Sequence, residues 1–288
     1  MLSLTQFGAA GAPSMPPEWL LRGLSGIGEG TSGPALGPLR AHSDRRKLRI
    51  ANFVGLSGPS GIWGPASINS TLLGVSEINR RGGILGREIE VAFHDTGGDI
   101  NQVTRTASDI VASEDADLVM GSHISAVRVA LRKVVAGRIP YLYTPVYEGG
   151  ERTPGVMAIG ETPGAQWRPA IEWLANTRQA SNFYLIGSDY VWPWLSHKAI
   201  KEYIADAGGR VVGEEFVPIG EHDHSSQLER IEAARPDVVL ITLIGADSVV
   251  FNRAFSEQGL GSQMLRLAGA MDETVLLGIG ADNTENLF

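Results

Sequence analysis

The residues best equipped for chemistry fall in one short stretch, Gly187-Ser188-Asp189-Tyr190-Val191-Trp192-Pro193-Trp194. It combines hydroxyl, carboxylate and aromatic side chains. Apolar Phe183-Tyr184-Leu185-Ile186 precedes it and reads as a short buried strand, and a helical pattern follows over 195–203. The stretch is therefore expected to be a turn at the carboxyl end of a strand, where open α/β sheets hold ligands. Tyr190 and Trp192, with Ser188 and Asp189 beside them, suit a small polar molecule that carries some apolar surface. The plainer alternative, that the rings only plug the edge of a lobe, stays open on this stretch alone.

Other candidates point less clearly. His222-Asp223-His224 sets two imidazoles at i and i+2. At a helix start Asp223 reads as a cap and the histidines as solvent-facing, rather than as metal ligands. His94 stands at a strand end and is a candidate for a cleft. Asp189 and Asp272 form a carboxylate pair only if the fold brings them together. The chain has no phosphate-binding P-loop, no His-Glu-x-x-His, no Gly-x-Ser-x-Gly elbow and no Gly-x-Gly-x-x-Gly on its first strand. No nucleophile with an activating base stands out. Cysteine is absent, which removes disulfides, thiolate nucleophiles and Cys-ligated metals, and fits either redox compartment. Neither a cofactor nor a metal is expected.

These residues need elements to hold them. Hydrophobic content of 43% and charged content of 19% are those of a globular chain. A net charge of −8 without a basic stripe argues against a nucleic-acid partner. No apolar run approaches the roughly 18 residues of a transmembrane helix. A first strand is expected over 48–54, then a Gly/Ser turn, then a helix over 65–81 with Ile68, Leu72, Val75 and Ile78 on one face, stopped by Gly82-Gly83. Strand and helix then alternate: strands over 89–93, 118–120 and 139–143, helices over 103–113 and 126–136. Residues 149–164 read as an irregular crossing. A second α/β unit follows, with strands over 183–186, 210–218, 238–242 and 265–268. This repetition predicts α/β lobes with doubly wound parallel sheets. The predicted division is a disordered leader over 1–46, a first lobe over 47–164 and a second over 165–288.

The turns carry a further pattern. Leu56-Ser57-Gly58-Pro59, Glu77-Ile78-Asn79-Arg80-Arg81-Gly82-Gly83-Ile84-Leu85-Gly86-Arg87, Asp95-Thr96-Gly97-Gly98-Asp99, Thr144-Pro145-Val146-Tyr147-Glu148-Gly149 and Gly187-Ser188-Asp189-Tyr190 follow in order. Together they resemble the type I periplasmic-binding-protein family, in its branched-chain amino acid and amide-binding group. The last two narrow the resemblance to amide and urea binders: ABC-transporter substrate-binding proteins and the amide sensor of an aliphatic amidase operon.

The resemblance covers residues 48–288 and implies two Rossmann-like lobes that close on a ligand about a hinge. It implies that Ser125 offers hydroxyl and backbone N–H groups to a ligand carbonyl. Tyr143, Thr144 and Tyr147 would line the first lobe, and Tyr190 and Trp192 would close from the second. Asp272 would accept a ligand N–H, and Ser57, Trp63 and His123 are further candidate contacts. For each residue, turn chemistry or core packing is the alternative. Trp192 departs from the smaller aromatic of the amide sensors. Members of the family continue beyond the point corresponding to Asn286-Leu287-Phe288, so the second lobe is expected to be truncated at its C-terminus.

The function expected is non-catalytic binding of a short amide, urea or a branched-chain amino-acid-like solute, for an ABC permease or for sensing through a regulatory partner. The alternatives are a hydrolase using Asp189 or His94, and a truncated interaction module. Met1-Leu2-Ser3-Leu4-Thr5-Gln6 lacks the basic start and apolar core of a secretory signal. A cytoplasmic location is therefore expected as the chain is written, or a periplasmic one if the start lies elsewhere.

Overall fold

The computed structural model describes residues 47–288, and the leader expected over 1–46 lies outside them. β1 (Lys47–Val54) starts exposed and ends in a run of buried residues, because it lies inside a sheet covered on both faces. It pairs in parallel with β2 (Glu88–Asp95) and β3 (Leu118–Ser122). β4 (Tyr141–Tyr143) and β5 (Val156–Ala158) complete the order β2-β1-β3-β4-β5. The intervening helices are α1 (Gly64–Arg80), α2 (Ile100–Ala112) and α3 (Ser125–Val135). Asp99 starts α2 by accepting the Asn101 N–H at 2.9 Å.

The short α4 (Pro163–Gln166) and α5 (Arg168–Arg178) lead into a second parallel sheet. Its strands are β6 (Asn182–Ser188), β7 (Arg210–Val217), β8 (Val238–Thr242) and β9 (Leu265–Ala268), in the order β7-β6-β8-β9. Helices α6 (Val191–Asp206), α7 (Ser225–Ala234), α8 (Gly245–Glu257) and α9 (Glu273–Ile279) alternate with them. β8 is buried at every position, as an apolar strand inside a parallel sheet must be. Trp167, Ile171, Leu185, Trp192, Ile200 and Leu240 pack on one face of this sheet, and Ile186, Ile241, Phe251 and Phe255 on the other.

In each sheet the strand order reverses beside the first strand, between β1 and β3 and between β6 and β8. Those reversals open crevices at the carboxyl ends of the strands, the ligand position of doubly wound sheets.

The structure departs from the expected elements in three places. α6 begins at Val191, so Trp192, Pro193 and Trp194 belong to its first turn rather than to a loop. Proline is tolerated there because first-turn N–H groups have no intrahelical acceptor. The supposedly irregular crossing contains β5, an edge strand with Met157 exposed and too short to show a period. α1 forms where expected, yet Leu72, Leu73 and Ile78 on it are exposed. Among the described residues, nothing covers that side. The edge beside β9 is occupied by residues 286–288, whose backbone bonds alternate with those of Arg266 and Ala268 at 2.8–3.0 Å. Arg266, fully buried, anchors this return by donating to the carbonyls of Asn283 and Glu285, each at 2.8 Å.

Candidate functional site

The carboxyl ends of the two sheets face each other across a cavity of about 450 Å3. From the first sheet come Ser60 and Trp63 after β1, Ser122 to Ser125 after β3, and Tyr143 to Val146 after β4. From the second come Tyr190 and Trp192 after β6, Ile244 after β8, and Ala270 to Asp272 after β9. Of the residues singled out in the sequence, Trp63, His123, Ser125, Tyr143, Thr144, Tyr190, Trp192 and Asp272 stand on its wall.

One end of the cavity is rich in hydrogen-bonding groups. α3 starts at Ser125 behind an N-cap, Ile124, that offers no side-chain acceptor. The N–H groups of Ser125 and Ala126 make no backbone hydrogen bond, as the first turn of a helix dictates. Ser122, Ser125 and Thr144 bring hydroxyls to the same cavity lining. Ser122 lies 3.3 Å from the Ser67 hydroxyl, and Thr144 donates to the Gly121 carbonyl at 3.0 Å. The Tyr143 hydroxyl donates to the His123 carbonyl at 2.8 Å and lies 3.5 Å from the Ser125 hydroxyl. The helix dipole makes this end favourable for a carbonyl or carboxylate oxygen.

His123 is buried in the wall. Its Nδ1 lies 3.1 Å from the Ile124 carbonyl and its Nε2 2.9 Å from the Tyr141 hydroxyl. Nδ1 therefore carries the proton and Nε2 accepts. Burial, aided by the nearby Arg128 charge, pushes its pKa down to about 4, so the ring is neutral. Burial likewise raises the Tyr143 and Tyr190 phenols, which stay protonated.

Behind this wall, Arg128 is clamped by Glu148 at 2.5 Å and by Glu151, with Arg132 at 3.5 Å from Glu151. Its guanidinium stacks 5.5 Å over Tyr143 and 5.4 Å over Tyr147. Two cations and two carboxylates thus balance one another outside the cavity.

The second sheet supplies the aromatic side. Tyr190 and Trp192 stand with ring centroids 6.4 Å apart. Trp192 also belongs to the core of its sheet, whereas Tyr190 is half-buried and its hydroxyl has no partner among the described residues. Asp272 caps α9, accepting from the Val275 N–H at 3.0 Å and the Thr274 hydroxyl at 2.6 Å. It also accepts the Trp63 indole N–H at 3.1 Å, a bond from one side of the cavity to the other. That occupies the carboxylate assigned to a ligand N–H.

Several sequence candidates stand elsewhere. Ser57 turns away to donate to Asp95 at 2.6 Å, and Tyr147 is held by Arg128 behind the wall. Asp189 accepts from the Trp194 indole at 2.7 Å, and His94 stacks on Phe53 at 5.0 Å; neither lines the cavity, so Asp189 and Asp272 form no pair there. Asp223 accepts from the Ser225 N–H and hydroxyl just ahead of α7, but the N-cap of that helix is His224, which makes no side-chain cap bond. The histidines beside it are not both solvent-facing, however: His224 is buried with its ring 5.4 Å from Phe251. Sequence reasoning missed Ser60, Ser67, Glu161 and Gln166 on the wall. The signal for the last two was Thr162-Pro163, a helix start in the middle of the crossing.

The sequence matches the family described as periplasmic binding protein over residues 47–288. A Leu/Ile/Val-binding protein of Rhizobium johnstonii is 26% identical, the match covering 87% of this chain and 65% of that one. A periplasmic binding protein of Burkholderia mallei superposes with a TM-score of 0.75 at 18% identity, covering 83% of this chain and 64% of that one. A solute-binding protein of an ABC transporter from Rhodopseudomonas palustris, solved with p-hydroxybenzoic acid, gives 0.73 at 18%, covering 82% and 66%. The chain thus spans about two thirds of the length of the proteins it matches. The cytoplasmic expectation drawn from the first residues is overturned, because the family is one of periplasmic proteins. On its sequence match and its pair of facing parallel sheets, the chain belongs to the type I periplasmic binding proteins, in the group that includes Leu/Ile/Val-binding proteins.

Proposed function

We propose that this protein binds a small solute in the cavity between the two sheets, without turning it over, and delivers it to an ABC permease. The lobes that would close on the solute are residues 47–164 and 165–288. The observation that carries the reading is the pairing of two surfaces across one cavity. The open N–H groups and hydroxyls at the start of α3 stand on the first-sheet side of the cavity, and the rings of Tyr190 and Trp192 on the second-sheet side. A carbonyl or carboxylate end would satisfy the first surface, and an apolar body would cover the second. An unpaired buried polar group costs about 1–3 kcal/mol, so the α3 end would reject a wholly apolar guest. The volume lies toward the small end of ligand pockets, which suits short amides, urea or a branched-chain amino acid. The name of the Rhizobium relative favours the last of these. Against a hydrolase, Asp189 and His94 both stand off the wall.

A thermal-shift panel of leucine, isoleucine, valine, butyramide, acetamide and urea tests the reading. A ligand of the folded state adds about 2.7 kcal/mol of stability at a hundredfold excess over its dissociation constant. At least one member is expected to raise the melting midpoint in the wild type. Tyr190→Phe is expected to weaken that response and Tyr190→Ala to remove it. A cooperative melt that no member moves would contradict the reading.

A further inference from the structure

The cavity wall contributed by the second sheet rests on two helix starts that do not fix themselves. Tyr190 and Ile244 are the N-caps of α6 and α8, and neither makes a side-chain cap bond. What ties these starts to the sheet lies deeper. Phe216 on β7, Gly187 on β6 and Thr242 on β8 stand in register across the three strands. Gly187 leaves a gap in that row, and α6 descends into it. A Cβ there would stand 2.2 Å from the Thr242 hydroxyl oxygen, 2.9 Å from Pro193 Cβ and 3.2 Å from His197 Nε2. From this position His197, fully buried on α6, bridges the two flanking strands. Its Nδ1 lies 3.1 Å from Glu214 on β7 and its Nε2 2.8 Å from the Thr242 hydroxyl, with its ring 4.7 Å from that of Phe216. Glu214 also accepts from Lys201 at 2.8 Å. Burial alone would raise the Glu214 carboxyl, but the bonds from His197 and Lys201 outweigh that and hold it below the usual carboxylate range. Facing a carboxylate, Nδ1 carries the proton, so Nε2 accepts from Thr242.

We propose that His197 is a positioning residue for solute binding: by tying α6 to the end of β8 it sets Tyr190 and Trp192 against Ile244 on the cavity wall. The inference rests on reading the cavity as a solute site. His197 stands behind the wall and acts through the elements it joins. Tyr190 and Trp192 lie in the turns before it on α6. Ile244 lies just beyond Thr242, and it shares one core cluster with Trp192. Without the Nε2 acceptor, the buried Thr242 hydroxyl keeps only a 3.4 Å approach to the Ile186 carbonyl. A buried hydroxyl tolerates that poorly, so the end of β8 and the start of α6 lose their common anchor. Site residues need placing to about 0.5 Å, so this slack costs affinity as well as stability.

The test is calorimetric titration of the whole chain at a temperature where every variant is folded. The probe is whichever of leucine, isoleucine, valine, butyramide, acetamide and urea shifts the wild-type melt most. His197→Asn keeps a donor for Glu214 but no acceptor for Thr242, and is expected to bind about tenfold more weakly. Thr242→Val is expected to lose as much, and the double variant no more than either alone, because all three remove the same bond. His197→Gln, whose side-chain oxygen reaches the place of Nε2, is expected to stay within about twofold of the wild type. Phe255→Leu, in the core on the other face of the sheet, is expected to lower the melting midpoint with affinity unchanged. Wild-type affinity in His197→Asn and Thr242→Val, losses that add in the double variant, no rescue by His197→Gln, or an equal loss in Phe255→Leu would overturn the positioning role and leave the binding reading standing. If no member of the panel binds the wild type, the binding reading falls and this inference with it.

Discussion

His123 shows how one side chain ties the cavity to stability. Its ring is held neutral by burial between the Tyr141 hydroxyl and the Ile124 carbonyl. The folded-state pKa of about 4 lies below the 6.5 of an exposed imidazole, so the unfolded chain takes up the proton first. The stability that this site contributes is complete above pH 6.5 and is lost as pH falls from there toward 4. The full loss is about 3 kcal/mol by linkage. Urea denaturation at pH 7 and pH 4.5 is expected to show part of this loss in the wild type and less of it in His123→Gln. An equal pH dependence in both would contradict the assignment. At this scale Tyr190 and Trp192 were legible from their residue types at a strand end, whereas Ser125 and Tyr143 came from the resemblance alone. Ser57 and Tyr147, drawn from the same resemblance, stand off the wall, because Asp95 and Arg128 hold them elsewhere. Long-range partners of this kind leave no trace in local sequence.

At the scale of elements, the turn over Pro59–Trp63 makes one of the contacts between the two halves, beside that of α3 with α6. It sits against the start of α8, where Gly245 adopts a φ of 48°. A Cβ at Gly245 would stand 2.2 Å from the Pro59 carbonyl oxygen, inside any allowed contact. Gly259 has a φ of 71° and open space around it. Gly259→Ala is therefore expected to cost only the backbone strain, about 1 kcal/mol. Gly245→Ala should cost clearly more, because the turn must move off α8. Equal costs by urea denaturation would show that the seat is not tight. Most elements were legible because parallel sheets are built from apolar strands separated by amphipathic helices, and both periods survive in the sequence. β5 was not, since three residues cannot show a period. The early start of α6 was hidden by Pro193, which reads as a break unless the first turn is allowed for.

The whole molecule places two doubly wound sheets with their strand ends opposed, so that each contributes loops to one cavity. Solute binding there should act on both sheets together, because neither wall alone holds both the α3 donors and the Tyr190 ring. A bond such as Trp63 to Asp272 already joins the two sides. That organisation followed from the order of strand, turn and helix, and the facing of the two sheets from resemblance rather than from any residue pattern.

The central claim is that the cavity, and not another surface, takes the solute. Amide hydrogen exchange with and without saturating valine tests it most directly. The account predicts slowed exchange at once in the loops after β1 and β3 and in those after β6 and β9, with the effect lost in Tyr190→Ala. Protection confined to the loops of one sheet, or appearing away from the cavity, would contradict it.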